Sequence, residues 1–295
     1  MAQVTGYETV QSNIITIGNA VSALMGPAFV NAAQALALLV AEPFPDTTNT
    51  VKVPISGYLT AGTLAEATAY TFSSSSQLID SSVTCTAKKV VSGARPSVEM
   101  LRFSQPWGDP ARISENMGAA IGRQFDGDFV SLFASTSNSV IATSTLVKDN
   151  LLDARYNIES SMLGAFSGQL VGMLHPKGLN EVRKDITSTG ATAFGNLGLL
   201  GIIGQVQPGK QYAGNLMGID LYYRSGLPTT GGDNVQQVWD PKNAFYAGVD
   251  GINGFKTSIQ EPTAENGLTW SYLAWTFFKI VQWRDTAACI VRSDS

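Results

Sequence analysis

Apolar residues recur at every fourth position from Ile113 through Met117, Ile121, Phe125 and Phe129 to Phe133, a spacing that keeps them on one face of a helix. Asp109 is placed to cap that helix and Pro110 suits its first turn. The pattern therefore predicts a helix within 109–135, which over about 25 residues would extend about 37 Å at ~1.5 Å per residue. Gly118, Gly122 and Gly127 interrupt it, each costing about 1 kcal/mol relative to alanine, which predicts another backbone packed close at those points. Arg112, Glu115, Arg123, Asp126 and Asp128 recur along the same stretch and exclude a membrane-spanning GxxxG helix. A second apolar run, "AFVNAAQALALLVAEPF" at 28–44, is too short to span a bilayer and is interrupted by Asn31 and Gln34. It predicts a helix over 28–41, stopped by Pro43 and Pro45. Residues 1–27 are polar and small, an arm that gains order against a partner.

Elsewhere the period is closer to two. Residues 51–91 alternate in places, are rich in Thr, Val and Tyr, and predict a long exposed β-hairpin, with Ser73–Ser76 as a turn or bulge. "LVKDNLLDARYNIESSML" predicts a second amphipathic helix. The apolar run ending in Gly172-Met173-Leu174 predicts a strand, after which Pro176 opens a helix whose buried face is Leu179, Val182 and Ile186. From Gly195 to Gly218 seven glycines sit among apolar residues without the order of a phosphate loop or a dinucleotide fingerprint, which predicts a permissive loop. "MGIDLYYRSGLP" predicts a strand ending in a turn, and "LTWSYLAWTFFKIVQWRDTAACIVR" a strongly aromatic β-rich C-terminal run.

At 295 residues the chain is long enough for two or three subdomains. Charged residues make up only 14%, against about 25% in an ordinary domain, a depletion expected where much of the surface is buried against other copies. The net charge of −4 argues against a strong general grip on nucleic acid. No Lys or Arg precedes Lys52, which removes the basic start of a secretory signal. Cys85 and Cys289 have no CxxC or Cys/His companions and predict neither a disulfide framework nor a zinc site. His175, the single histidine, stands at the strand-to-helix junction before Pro176, where a capping role outweighs catalysis. No HExxH, GxSxG or EF-hand pattern is present, so neither an enzyme nor a cofactor or metal site is expected.

Several of these segments, in order, resemble the tailed-bacteriophage major capsid proteins of the Hong Kong 97-type (Johnson) fold. "VKVPISGYLTAGTLAEATAYTFSSSSQLIDSSVTCTAKKV", with Glu66 in its small-residue turn, resembles the family's extended loop. "ISENMGAAIGRQFDGDFVSLFAS" resembles its spine helix, and "GMLHPKGLNEVRKDI", "GNLMGIDLYYRSGLP" and "NAFYAGVDG" resemble elements of its axial domain. The resemblance implies an α+β Hong Kong 97-like capsid fold. Its parts are an N-terminal arm (1–48), an extended loop and connection (49–108), a peripheral-domain spine helix (109–138), an axial domain (139–258) and C-terminal strands returning to the peripheral domain (259–295).

It further implies hexamers and pentamers of an icosahedral shell that encloses double-stranded DNA without sequence-specific binding, assembled in the host cytoplasm and located in the virion. The implied partners are other copies of the chain, a scaffolding protein, a portal and a decoration or cement protein; no membrane is involved. Some relatives begin with a long charged scaffolding segment, whereas here the arm starts almost at Met1, so scaffolding is expected to be a separate protein. Inter-subunit contacts are expected at Glu66, Lys88 and Lys89, the lysines facing Glu115, Asp126 or Asp128 of a neighbour's spine helix. Some relatives join subunits by Lys–Asn isopeptide bonds; Lys52, Lys88 and Lys89 lie in or beside the loop, but no motif identifies their partners and no cross-link is expected. Two other readings are a bacterial nanocompartment shell of the same fold and a soluble enzyme with an unrecognised acidic site.

Overall fold

A computed structural model describes residues 24–45, 50–56, 79–97, 110–142, 145–162, 166–188, 211–250, 254–260 and 269–294. A short helix, α1 (24–32), leads through a 3-10 turn (Gln34–Leu38) into strand β1 (Val40–Pro43). β2 (Thr50–Ser56) and β3 (Ile79–Thr86) form a hairpin, followed by β4 (Lys88–Ala94) and the long helix α2 (Pro110–Ser131). Then come β5 (Ser139–Ile141), α3 (Lys148–Met162), β6 (Leu170–Leu174) and α4 (Pro176–Ser188). The remaining strands are β7 (Tyr212–Leu216), β8 (Ile219–Tyr223), β9 (Thr229–Thr230), β10 (Asp233–Trp239), β11 (Phe245–Val249), β12 (Lys256–Gln260), β13 (Ser271–Gln282) and β14 (Ala288–Asp294).

These strands make two large sheets and one hairpin, giving an α+β fold. In the five-stranded sheet β13 is central: β11 and β12 pair along one edge, β4 along the other, and β1 adds to β11 in parallel. The seven-stranded sheet runs β5-β14-β10-β6-β8-β7, with β9 beside β10. The two sheets are joined by one paired ribbon. β10 pairs with β14 as far as Trp239↔Ala288, and β11 pairs with β13 from Phe245↔Gln282, so both chains cross together. Hydrogen bonds from Asp240 N to Ala287 O (2.9 Å) and from Trp283 N to Ala244 O (2.8 Å) hold the crossing.

This ribbon divides the chain differently from the boundaries expected in sequence. β11 falls within 139–258 and β12 straddles its end, yet both lie in the five-stranded sheet, while β14 falls within 259–295 yet lies inside the seven-stranded one.

The four-residue repeat is buried throughout, from Ile113 of α2 at 8% exposure to Phe125 and Phe129 at 0% and, in the 3-10 turn (Leu132–Ser135) that follows the helix, Phe133 at 0%. At its C-terminal end Phe129 and Phe133 meet Trp239 and Phe245, with ring centroids 5.1–6.4 Å apart, beneath the crossing ribbon. Gly118 and Gly122 meet the expected backbone: an added Cβ would stand 2.6 Å from Met25 O and 2.8 Å from Phe29 O of α1. Gly127 differs, with nothing within 4 Å. Asp109 and residues 1–23 lie outside the described residues.

The single helix predicted over 28–41 is instead α1, the 3-10 turn and β1. Tertiary partners outweigh local propensity there. Asp126 on α2 accepts the Ala35 N–H at 3.0 Å, the Trp239 indole donates to Leu38 O at 2.9 Å, and β1 pairs with β11.

Candidate assembly surfaces

The β2–β3 hairpin, which with β4 makes up most of the described part of the predicted extended loop, lies on the outer face of the five-stranded sheet. Val53 and Cys85 turn inward onto Tyr246, and Val40, Phe44, Val51, Val281 and Trp283 complete a small separate core. The Trp283 indole donates to Pro54 O at 3.1 Å, and the Cys85 thiol to Lys279 O at 3.4 Å. Phe44 covers Gly248 so closely that a Cβ there would stand 2.4 Å from its ring, which explains a glycine in mid-strand. Tyr246 donates to Glu42 at 3.2 Å, and burial together with that carboxylate pushes its phenol up to about 12. The base of the hairpin is thus fixed to its own subunit. Residues 57–78, including Glu66 and Ser73–Ser76, lie outside the described residues.

The lysines predicted to reach a neighbour have partners within their own chain. They belong to β4, which pairs with β13, and not to the hairpin. Lys88 Nζ lies 3.6 Å from Asp128 Oδ2 of α2, and Lys89 Nζ lies 4.8 Å over the Trp275 ring. Asp126 is internal, 3% exposed, with Arg224 Nη1 at 2.7 Å from its Oδ2; it ties α2 to the chain just beyond β8 and to the Ala35 amide. Burial raises its carboxyl above the usual aspartate value, against the lowering effect of Ala35 and Arg224. Glu115 alone of the three predicted acidic positions on the helix is exposed, Asp126 being buried and Asp128 half-buried. Charge in a sequence does not distinguish a surface contact from an internal tie, and neither Arg224 nor Trp275 carries a local pattern that marks its role.

His175 occupies the junction predicted for it. Its Nδ1 accepts the Lys177 N–H at 3.3 Å, its carbonyl accepts the Leu179 N–H at 2.9 Å, and Pro176 is the first helical residue. Buried Gln236 receives the His175 N–H at 3.2 Å and donates to Ser293 at 2.7 Å; Gly178 leaves room for it. His175→Ala should therefore cost about 1 kcal/mol, the value of a lost N-cap, in a denaturant titration. A loss above about 3 kcal/mol would mean that the ring does more than cap.

Both thiols are fully buried, and burial raises both, Cys289 to about 11. Native protein should be unreactive towards an aromatic disulfide reagent at neutral pH and release two equivalents when denatured. Boiled protein should run at 31.3 kDa with or without reductant. A ladder that persists under reduction would overturn the expectation that no isopeptide bond forms.

The seven-stranded sheet carries α3 and α4 on the face that bears Cys289 and Gln236. Large apolar residues left exposed on this body are Tyr156 (69%), Ile141 (64%) and Met217 (59%). Met217 also has φ +49°, a left-handed turn position that favours Asn or Gly, and the Arg155 guanidinium bonds its carbonyl. Among the described residues no group of three or more His, Cys, Asp or Glu could hold a metal ion, and no helix is long and apolar enough to cross a membrane.

No family model and no curated protein sequence matches the chain. Solved structures do. The capsid of cyanophage P-SCSP1u aligns with a TM-score of 0.62 over 88% of this chain and 87% of that one, at 13% identity. The capsid of Ralstonia phage GP4 aligns with a TM-score of 0.64 over 88% and 87%, at 11% identity. The SrpI encapsulin of Synechococcus elongatus aligns with a TM-score of 0.59 over 88% and 86%, at 11% identity.

Proposed function

We propose that this chain, whose fold is the Hong Kong 97-like fold of those capsid subunits, is itself a shell subunit, the major capsid protein of a tailed double-stranded DNA bacteriophage. The observation that carries the proposal is the two-way coverage: capsid subunits match nearly the whole chain, and nearly their whole length is matched in return. Two features of the chain support it. Its charged fraction of 14% is low for a protein that keeps its surface in water. Ile141, Tyr156 and Met217 present large apolar side chains that a lone subunit leaves uncovered.

On this reading the subunit needs no catalytic residue and no cofactor. Its chemistry is repeated contact in closed symmetry, where modest pairwise energies recur at every copy. Scaffolding, portal and decoration proteins are its partners, assembly takes place in the host cytoplasm, and the finished shell is part of the virion.

The encapsulin match favours one second reading, a nanocompartment that holds an enzyme instead of a genome. Contents separate the two. Particles recovered from the native source and treated with nuclease should retain long double-stranded DNA if the chain is a phage capsid protein. Particles that hold a stoichiometric protein cargo and no protected DNA would favour the nanocompartment. A chain that sediments only as a monomer or small oligomer would contradict both.

A further inference from the structure

β13 turns alternate residues to the outer face of the five-stranded sheet, and beyond the part covered by the hairpin these are Lys279, Phe277, Trp275 and Leu273. Register puts Lys89 and Val91 of β4 and Lys256 of β12 on the same face, and Arg95 continues it past the end of β4. Val91 is 49% and Leu273 42% exposed, and Trp275 and Phe277 are half-buried between them and Lys279. Beside Leu273 opens a hollow of about 540 Å³ lined by Gly93, Arg95, Ser258, Gln260 and Ser271. Lys89 Nζ lies 4.8 Å from the centroid of the Trp275 ring and Lys256 Nζ 5.7 Å from that of Phe277. A ring leaves a lysine's charge in place, and among the described residues Lys89, Lys256, Lys279 and Arg95 are paired with no carboxylate. Asp250, half-buried just after β11, makes no ion pair with them.

We propose that this face docks an acidic segment, its carboxylates interspersed with apolar side chains, of a protein other than this chain. The inference rests on the shell reading, which carries that partner on the particle, and charge selects it. The chain has a net charge of −4, yet this one face gathers unpaired cations, whose mutual repulsion a polyanionic partner relieves. Val91, Leu273 and the two rings stand among those cations as the apolar and aromatic centre of a protein interface stands within its charged rim. A nucleic acid would leave Val91 and Leu273 against sugar and phosphate. A second copy of the chain is a poor match in charge. Most of its described carboxylates already accept bonds within their own subunit, Glu181 from Leu146 N and Asp185 from Lys148 N among them. Among the described residues no three carboxylates gather closely enough to hold a metal ion, so no acidic cluster answers this face.

Amine labelling of Lys256 and Lys279 tests this in dissociated folded subunits, in particles assembled from the purified chain alone and in particles from the native source. Both lysines should label at the same rate in the first two and about fivefold or more slowly in the third, whether or not those particles have been emptied of nucleic acid. A carbodiimide, which joins an amine to a carboxylate in contact with it, should link them in native particles to Asp or Glu of a second protein. Protection already present in particles of the chain alone, or links to carboxylates of another copy, would overturn the proposal and assign the face to a copy of the chain. Protection lost on emptying would assign it to nucleic acid, and equal labelling in all three states would leave it without a partner; either result sinks the proposal while the shell reading stands. A chain that forms no particles in either setting would sink the shell reading and this docking face with it.

Discussion

Replacing Trp239 with alanine should lower the unfolding free energy by about 3–5 kcal/mol, the largest single effect expected in this subunit. Trp239 is fully buried at the end of β10, one residue before the ribbon crosses from the seven-stranded sheet to the five-stranded one. Its ring meets Phe129 at 5.4 Å, Phe133 at 5.8 Å and Phe245 at 6.1 Å, and its indole N–H satisfies Leu38 O at 2.9 Å. The side chain therefore joins the spine helix, the ribbon and the segment that feeds β1. Alanine removes this packing and leaves a buried carbonyl without its donor. Trp239→Phe keeps most of the ring contact and should cost less, about 1–3 kcal/mol, mostly from the unsatisfied Leu38 carbonyl. Denaturant unfolding monitored by circular dichroism reads both. Equal losses for the two variants would show that the hydrogen bond, and not the aromatic cluster, dominates the joint.

Asp126→Ala should be the next most damaging change, at about 3 kcal/mol, because it strips the partner from Arg224 and the acceptor from the Ala35 amide in one step. The figure is at the low end for a broken buried pair since the Arg224 side chain keeps 19% exposure. Asp126→Asn, which retains an acceptor for Ala35, should cost less.

Acidity separates the two forms further. Burial holds the Asp126 carboxyl above its ordinary value, so the folded state binds its proton more tightly than the unfolded chain does. The proton-linked part of its contribution is therefore full below the unfolded value of about 3.9 and is lost as pH rises through the raised folded value. The stability of the unmodified chain relative to Asp126→Asn should accordingly fall as pH rises across that window. A difference that grows with pH there would mean that Arg224 outweighs desolvation.

The sequence was most legible where one period ran long enough to dominate. The fourfold repeat of α2 and the strand-His-Pro-helix junction were both readable because every residue in them serves one local geometry. The glycines at 118 and 122 were readable for the same reason, as costs that only a close backbone could justify. The segment after α1 was not. Its apolar run suits a helix, and what breaks it is the Asp126 carboxylate 91 positions away together with the edge of β11. The boundary between the two bodies was hidden for a related reason: a strand sequence does not state which sheet receives it, and β11 and β14 each follow the ribbon across. Charge patterning was less informative: Lys88 and Asp128 carry opposite charges that suit a contact between copies, and within one subunit they already lie 3.6 Å apart because β4 crosses α2 there.

Electron microscopy of the purified, full-length chain tests the central claim most directly. The account predicts closed particles of uniform size with icosahedral symmetry, resolved into clusters of six and five subunits. A homogeneous, folded preparation that shows only monomers or small open oligomers, across the salt and crowding conditions that favour assembly, would contradict it.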